Sequence, residues 1–241
     1  TLELAIFSTL LALLLGIPTG VIAAARRGSW LDRMGSLGSV LSVAMPTFFF
    51  AMLLQLVFSQ WFGILPLSGR LSQQISISDP LPFVTGFNLI DAVIAGRPAV
   101  VLDALAHLIL PALTLAAYPA GIAMRLTRAA MIEILARRHI IAARALGLSA
   151  PRILFGHALP NAVGPALTVI GLSFAYALTG AVLVEIIFAW PGLGRYVSEA
   201  ILSKDFPVIA ATTLVVTLYY VVMNLVIDLT QTLVDPRVAL T

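Results

Sequence analysis

Asp103 and His107 stand four residues apart on a stretch that reads as helix, which puts both side chains on one face and within reach of each other. Such a pair can relay a proton or supply half of a metal site. No other histidine follows at a ligand spacing, because His139 and His157 fall in an arginine-rich stretch further on. A structural role at a helix end or against a loop is the plainer reading, and we assign no catalytic residue, metal ligand or cofactor. Asp228 is a lone carboxylate in an apolar run, which is costly in lipid. It lines a wet path, pairs with another subunit, or lies near enough to the membrane surface to be solvated. Asn161 and Asn224 serve as interhelical hydrogen bonds or as ligands. The only lysine, Lys204, follows Leu202-Ser203 and no glycine-rich turn, so the chain has no phosphate-binding loop and cannot hydrolyse ATP through one. An intramembrane enzyme built on Asp103, His107 or Asp228 would need several polar groups at matched depth on different helices, and these are scattered.

The elements that carry these residues belong in a membrane. Of 241 residues, 60% are hydrophobic and only 10% charged, with a mean hydropathy of +1.04. A soluble domain carries about a quarter charged residues, so this chain could not cover a water-facing surface. The absence of cysteine removes disulfides, thiol catalysis and cysteine metal sites together.

We read an all-α integral membrane protein forming one domain over 1–241, with spans at about 2–25, 35–61, 100–124, 160–184 and 208–233. Gly16-Ile-Pro18-Thr-Gly20 is expected to loosen the first span, and Pro46 lies inside the second. Residues 62–99 form a proline-rich loop with a short helix near Asn88 to Ile94. Residues 185–207 hold a turn, Trp190-Pro191-Gly192-Leu-Gly194-Arg195, pinned at the membrane interface, then an amphipathic helix from Tyr196 to Ser203. Gly171 and Gly180 offer close helix approach.

Residues 125–160 are the longest interruption between apolar segments. Helix formers run from Ile134 to Leu146, Glu133 precedes Arg137 by four residues, and Gly147 suits the left-handed position that stops a helix. Ser149 can cap a second helix with Pro151 in its first turn. Ala142, Ala143 and Ala145 give a smooth face open to close approach. Ala142-Ala143-x-x-x-Gly147, followed after nine residues by His157-Ala-Leu159-Pro160, resembles the EAA motif of permease subunits of ATP-binding-cassette importers. Ala143-Arg144-Ala145-x-Gly147-Leu148 looks like the oligopeptide, dipeptide and nickel branch of that family. Ile141 stands where the general motif has glutamate, and His157 where isoleucine is usual. The likeness also covers Gly28-Ser-Trp-Leu-Asp32, Pro46-Thr-Phe48, Thr85-Gly86, Leu110-Pro111-Ala112-Leu113, Glu185 to Gly194 and Asp235-Pro-Arg237.

The resemblance implies that Ala142, Ala143, Arg144, Ala145, Gly147, Leu148, Ser149, Leu159 and Pro160 dock into an ATPase. It implies that Trp190, Pro191, Gly192, Gly194 and Arg195 form an outer gate or a dock for a binding protein. Asn161, Asn224 and Asp228 become candidates for the translocation path. Implied partners are a homologous second permease subunit, two ATP-binding-cassette ATPase subunits, an extracytoplasmic substrate-binding protein and the lipid bilayer, with no nucleic acid. Peptide is the implied cargo, with nickel or another small solute as the alternative.

Sidedness follows from the basic residues. One side holds ten, Arg26, Arg27, Arg33, Arg125, Arg128, Arg137, Arg138, Arg144, Arg152 and Arg237, and the other holds four, Arg70, Arg97, Arg195 and Lys204. Positive loops stay in the cytoplasm, so the multi-pass chain is expected in the inner membrane with its first residue outside and its last inside. Family permeases have six core spans, so a further span is expected before Thr1.

Overall fold

The computed structural model describes residues 1–78 and 80–234, and among these the secondary structure is entirely helical, with no strand. In chain order the α-helices are α1 (Leu2–Ala25), α2 (Trp30–Ala44), α3 (Thr47–Leu54), α4 (Gln73–Ser78), α5 (Asn88–Ile94) and α6 (Pro98–Leu135). They continue as α7 (Arg138–Ala145), α8 (Leu159–Ala162), α9 (Gly164–Gly180), α10 (Val182–Ile187), α11 (Leu193–Ser203) and α12 (Phe206–Val234). Two π-helical stretches, Gln55–Trp61 and Arg152–Ala158, adjoin α3 and α8. Three helices are long and apolar enough to cross a membrane, or five if each of two bent pairs counts as one span.

Contacts divide the chain into two compact units. The first comprises Thr1–Ser8, Pro46–Leu115 and Tyr176–Leu218, and the second comprises Thr9–Met45, Ala116–Ala175 and the chain from Tyr219 on.

In the first unit, Ala51 and Leu54 of α3 pack with Leu110 of α6 and with Val184 and Phe188 at α10. The proline-rich loop is held by polar groups. Gln55 donates from Nε2 to the carbonyls of Leu67 and Ile187, and the Gly69 N–H donates to the Phe188 carbonyl at 2.8 Å. A loop without helical hydrogen bonds must find other acceptors for its main-chain N–H groups. Here carboxylates serve: Asp103 accepts from Ser72, Asp91 from Thr85 and Gly86, and Glu3 from Leu89. α5 occupies the residues expected from the sequence, while α4 was not anticipated.

In the second unit α1, α2 and α6 approach closely. A Cβ built on Gly16 would lie 2.8 Å from the Ala120 carbonyl oxygen, and one on Gly20 would lie 2.7 Å from that of Met124. One on Gly121 would strike the Ser42 hydroxyl and come within 2.9 Å of the Ser39 carbonyl oxygen. Helices in lipid gain no hydrophobic drive toward each other, so close contact through small residues supplies the attraction. The glycines flanking Pro18 are thus packing positions and not loosening ones, and α1 runs unbroken through the proline. Gly171 likewise lies against Ile227; the side-chain surroundings of position 180 lie outside the described residues.

Three further expectations are corrected. The helix that carries the third span does not stop near Met124: α6 runs for 38 residues in all, about 57 Å at 1.5 Å per residue, because residues 125–135 remain good helix formers. The second breaks between α2 and α3, where Met45 is extended (φ −74, ψ 132) as the residue before a proline prefers. The fourth bends by 58° between Ala162 and Gly164, just before Pro165, and is interrupted again at Ala181.

Gly20→Ala is expected to lower the unfolding free energy by about 1–3 kcal/mol through overpacking. Gly38→Ala, where a Cβ meets nothing within 4 Å, should be neutral or raise it by about 0.5–1 kcal/mol. Thermal unfolding in one detergent compares them, and equal midpoints would refute the close packing.

Candidate functional site

The arginine-rich unit begins where α6 stops at Leu135 and Arg137 turns extended (φ −74, ψ 151) to start α7. The Glu133–Arg137 ion pair forms at 2.6 Å, as its spacing predicts. The expected single helix from Ile134 to Leu146 is instead interrupted at Ala136–Arg137. α7 ends with Gly147 at φ +78. The Gly147 N–H donates to the Arg144 carbonyl and the Leu148 N–H to the Ala143 carbonyl, the two bonds of a Schellman stop. Ser149 contributes its carbonyl, which accepts from Ile153 N–H at 3.0 Å.

This unit rests on one apolar core. Ile140 of α7 and Ile153, Ala158 and Ala162 beyond the bend are buried with Val21 and Ala24 of α1 and Met131 and Ile134 of α6. Ala143, Leu148 and Leu159 pack against that core half-buried, so the three alanines do not share one outward face. Ala142, Arg144, Ala145, Gly147, Ser149 and Pro160 are exposed. A Cβ at Gly147 would meet nothing within 4 Å. Leu146 and Phe155 were not singled out from the sequence, yet they stand exposed beside the bend.

The second candidate lies in the first unit. Trp190 is 2% exposed, which corrects its expected position at an open membrane interface. The Arg70 guanidinium sits 5.5 Å from its ring centre, and the Trp190 N–H donates to the Glu185 carbonyl at 2.8 Å. Pro191 and Arg195 are exposed, with Arg195 paired to Glu199 at 2.8 Å. An open pocket of about 370 Å³ is lined by Thr1, Glu3, Arg70, Phe87, Trp190 and Pro191, among others.

Glu185 was not weighed as a site residue, yet it organises this turn. It is fully buried, and its carboxylate accepts from the Arg195 N–H at 3.0 Å and from the Thr1 hydroxyl. The Thr1 hydroxyl oxygen in turn accepts from the Leu193 N–H at 2.7 Å. Gly192, the residue before α11, has no side chain to cap it, so Glu185 and Thr1 satisfy those first N–H groups from outside and place negative charge at the helix start. The carboxylate fills the space where a Cβ on Gly192 would sit, and a Cβ on Gly194 would lie 2.6 Å from the Val182 Cα.

The remaining candidates are placed as follows. Asn161 is exposed and donates to the carbonyl of His157, in the adjoining π-helical stretch, at 2.8 Å. Asn224 is half-buried on α12. The Asp228 side chain and residues Asp235 and Arg237 lie outside the described residues. His107 is buried with Nδ1 2.8 Å from the Asp103 carbonyl oxygen, and Asp103 is engaged by Ser72. Among the described residues no group of three or more histidine, aspartate or glutamate side chains is placed to hold a metal ion.

Comparison with known proteins gives these surfaces a context. Residues 16–240 match the family described as binding-protein-dependent transport system inner membrane component, and the chain belongs to that family. It is 41% identical to the dipeptide transport system permease protein DppB of Escherichia coli K12, over 99% of this chain and 70% of that protein. It is 44% identical to the probable D,D-dipeptide transport system permease protein DdpB of the same strain, over 99% and 69%. The peptide transport system permease protein SapB of Salmonella typhimurium is 38% identical over 98% and 73%.

Gly192→Ala would drive a Cβ into Glu185 Oε1. Expelling the carboxylate leaves the Arg195 N–H without its acceptor, at a cost of about 1–3 kcal/mol. Hydrogen exchange at Leu193 to Tyr196 should quicken, and unchanged exchange would show that the turn does not depend on Glu185. A pH effect is expected at Asp91. The Thr85 hydroxyl, with the Thr85 and Gly86 N–H groups, holds this carboxyl below the usual carboxylate range, against the opposing effect of burial. The folded-state value being the lower one, its contribution is full above the ordinary range and is lost as pH falls through the lowered value. Protection of the Thr85 and Gly86 amides should therefore fall on acidification. Asp91→Asn should abolish that dependence, and a variant that still shows it would refute the assignment.

Proposed function

We propose that this chain is a permease subunit of a peptide-importing ATP-binding-cassette system, forming half of the path for dipeptides or oligopeptides. The observation that carries the reading is the exposed Arg144–Gly147 bend seated on a core shared by α1, α6 and α7. A partner that moves this bend moves two long apolar helices with it. The relatives, dipeptide and peptide transport permeases by name, support the cargo.

In this reading one of two ATPase subunits grips the bend from the cytoplasm, through Ala142, Arg144, Ala145 and Gly147, with Leu146 and Phe155 adding apolar contact. Energy comes from those partners, and this chain is not itself an enzyme. A homologous second permease completes the path, and an extracytoplasmic binding protein delivers cargo near Pro191 and Arg195. The arginine-rich end is cytoplasmic by the distribution of basic residues. The ATPase must bind the inward-facing and outward-facing states unequally, since equal binding would shift neither.

The test is Gly147→Asp in the complete transporter. Aspartate tolerates the left-handed conformation better than most residues, and the space around position 147 is open in this chain. The subunit should therefore insert and fold, while ATP hydrolysis no longer drives dipeptide uptake into proteoliposomes. Wild-type uptake by this variant would refute the coupling role.

A further inference from the structure

Asp32 makes more bonds than a helix-start residue needs. Its main-chain N–H donates to the Ser29 hydroxyl, which caps α2, and its own carboxylate accepts from the Gly28 N–H at 2.9 Å. Gly28 is held at φ +79, a turn that suits glycine. The same carboxylate then takes both arms of one guanidinium: Arg128 Nε donates to Oδ1 at 2.5 Å and Nη2 to Oδ2 at 2.9 Å. Asp32 is 4% exposed. A forked pair fixes orientation as well as distance, which a single contact or a lysine cannot do.

The place of this pair matters. Arg128 lies on α6, seven residues before Leu135, about 10 Å along the axis. Met131 and Ile134, on the two turns between, enter the core that seats Ile140 and Ile153. α6 thus contacts the coupling bend through apolar packing and the α1–α2 connection through the forked pair. Apolar contacts slide, whereas a bidentate pair on a buried carboxylate resists both rotation and translation of α6 against the start of α2.

The geometry points to Asp32 and Arg128 as a positioning pair that carries movement of the coupling bend into the α1–α2 connection. This rests on the importer reading given above. Losing the pair should lower transport per ATP consumed rather than ATP consumption itself.

The experiment uses the complete transporter in proteoliposomes with an equimolar dipeptide mixture, measuring uptake and ATP hydrolysis together. Asp32→Asn and Arg128→Gln should each cut uptake per ATP by about tenfold, within the usual range for coupling between sites. The double variant should be no worse than either single one, because both remove the same interaction. Arg128→Lys, which keeps the charge and loses the fork, should lie between and guards against a single variant that fails to assemble. A wild-type ratio in Asp32→Asn, additive losses in the double variant, or a wild-type ratio in Arg128→Lys would each overturn the assignment.

A second readout needs no cargo. The chain has no cysteine, so spin labels at Arg33→Cys and Arg138→Cys, both exposed positions, report the distance from the start of α2 to the start of α7. The distribution should be narrow with the pair intact and broad in Asp32→Asn. Equal widths would overturn the positioning role. Failure of wild-type dipeptide uptake alongside that broadening would instead sink the peptide reading and leave the pair standing.

Discussion

Every buried carboxylate among the described residues accepts a hydrogen bond from a main-chain N–H. Glu3 takes Leu89, Asp32 takes Gly28, Asp91 takes Thr85 and Gly86, and Glu185 takes Arg195. The constraint behind this is that a chain so apolar has little water at hand, and an unmet N–H group costs free energy wherever helix hydrogen bonding stops. Helix starts and turns are the places where it stops. A carboxylate offers two acceptor oxygens and negative charge, so one side chain can close several such gaps, and Asp91 closes two main-chain ones while also taking the Thr85 hydroxyl. The buried acidic residues among those described are therefore engaged with backbone.

Away from turns, the second unit is held by contact of small residues. Gly16, Gly20 and Gly121 bring backbones close enough that a single methyl would collide with a carbonyl or a hydroxyl. Close approach and forked polar pairing work together there: glycine contacts set how near α1 and α2 lie to α6, and Asp32 with Arg128 sets their rotation. The two complement each other, since smooth surfaces slide where a forked pair holds orientation.

What could be read from the sequence were features whose cause is local. The α5 limits, the left-handed Gly147 and the Glu133–Arg137 pair each depend on residues within a few positions. The stretches that suggested the family, Gly28 to Asp32, Thr85-Gly86 and Glu185 to Gly194, prove to be places where carboxylates hold main-chain groups. Those bonds span only four to ten residues, but the second partners of Asp32 and Glu185, Arg128 and Thr1, lie far off in the chain and could not be read from spacing. Trp190 was misjudged because an aromatic beside Pro and Gly fits an interface as well as a buried wedge, and only Arg70 and Glu185 decide between them. α6 outran its expected end because arginine at positions 125 and 128 is a good helix former, and leaving the apolar layer does not end a helix.

Polar residues inside apolar helices were weaker guides than they first looked. Ser42 donates to the Ser39 carbonyl, Ser173 to Val169, Thr212 to Val208, Thr213 to Ile209 and Thr217 to Thr213. Each hydroxyl is satisfied on its own helix and needs neither water nor a neighbouring helix. Thr213 and Thr217 do this on a face of α12 that also exposes Leu214, Leu218 and Val221. Gln55 is similarly spent on the Leu67 and Ile187 carbonyls, and Asn161 on its own preceding turn. A hydroxyl or amide in a span therefore says little about a wet path until its local acceptor is known. The informative polar group is one whose length or geometry forbids back-bonding to its own helix. Arg128 is such a group: its guanidinium reaches beyond α6, and its partner Asp32 lies on another helix.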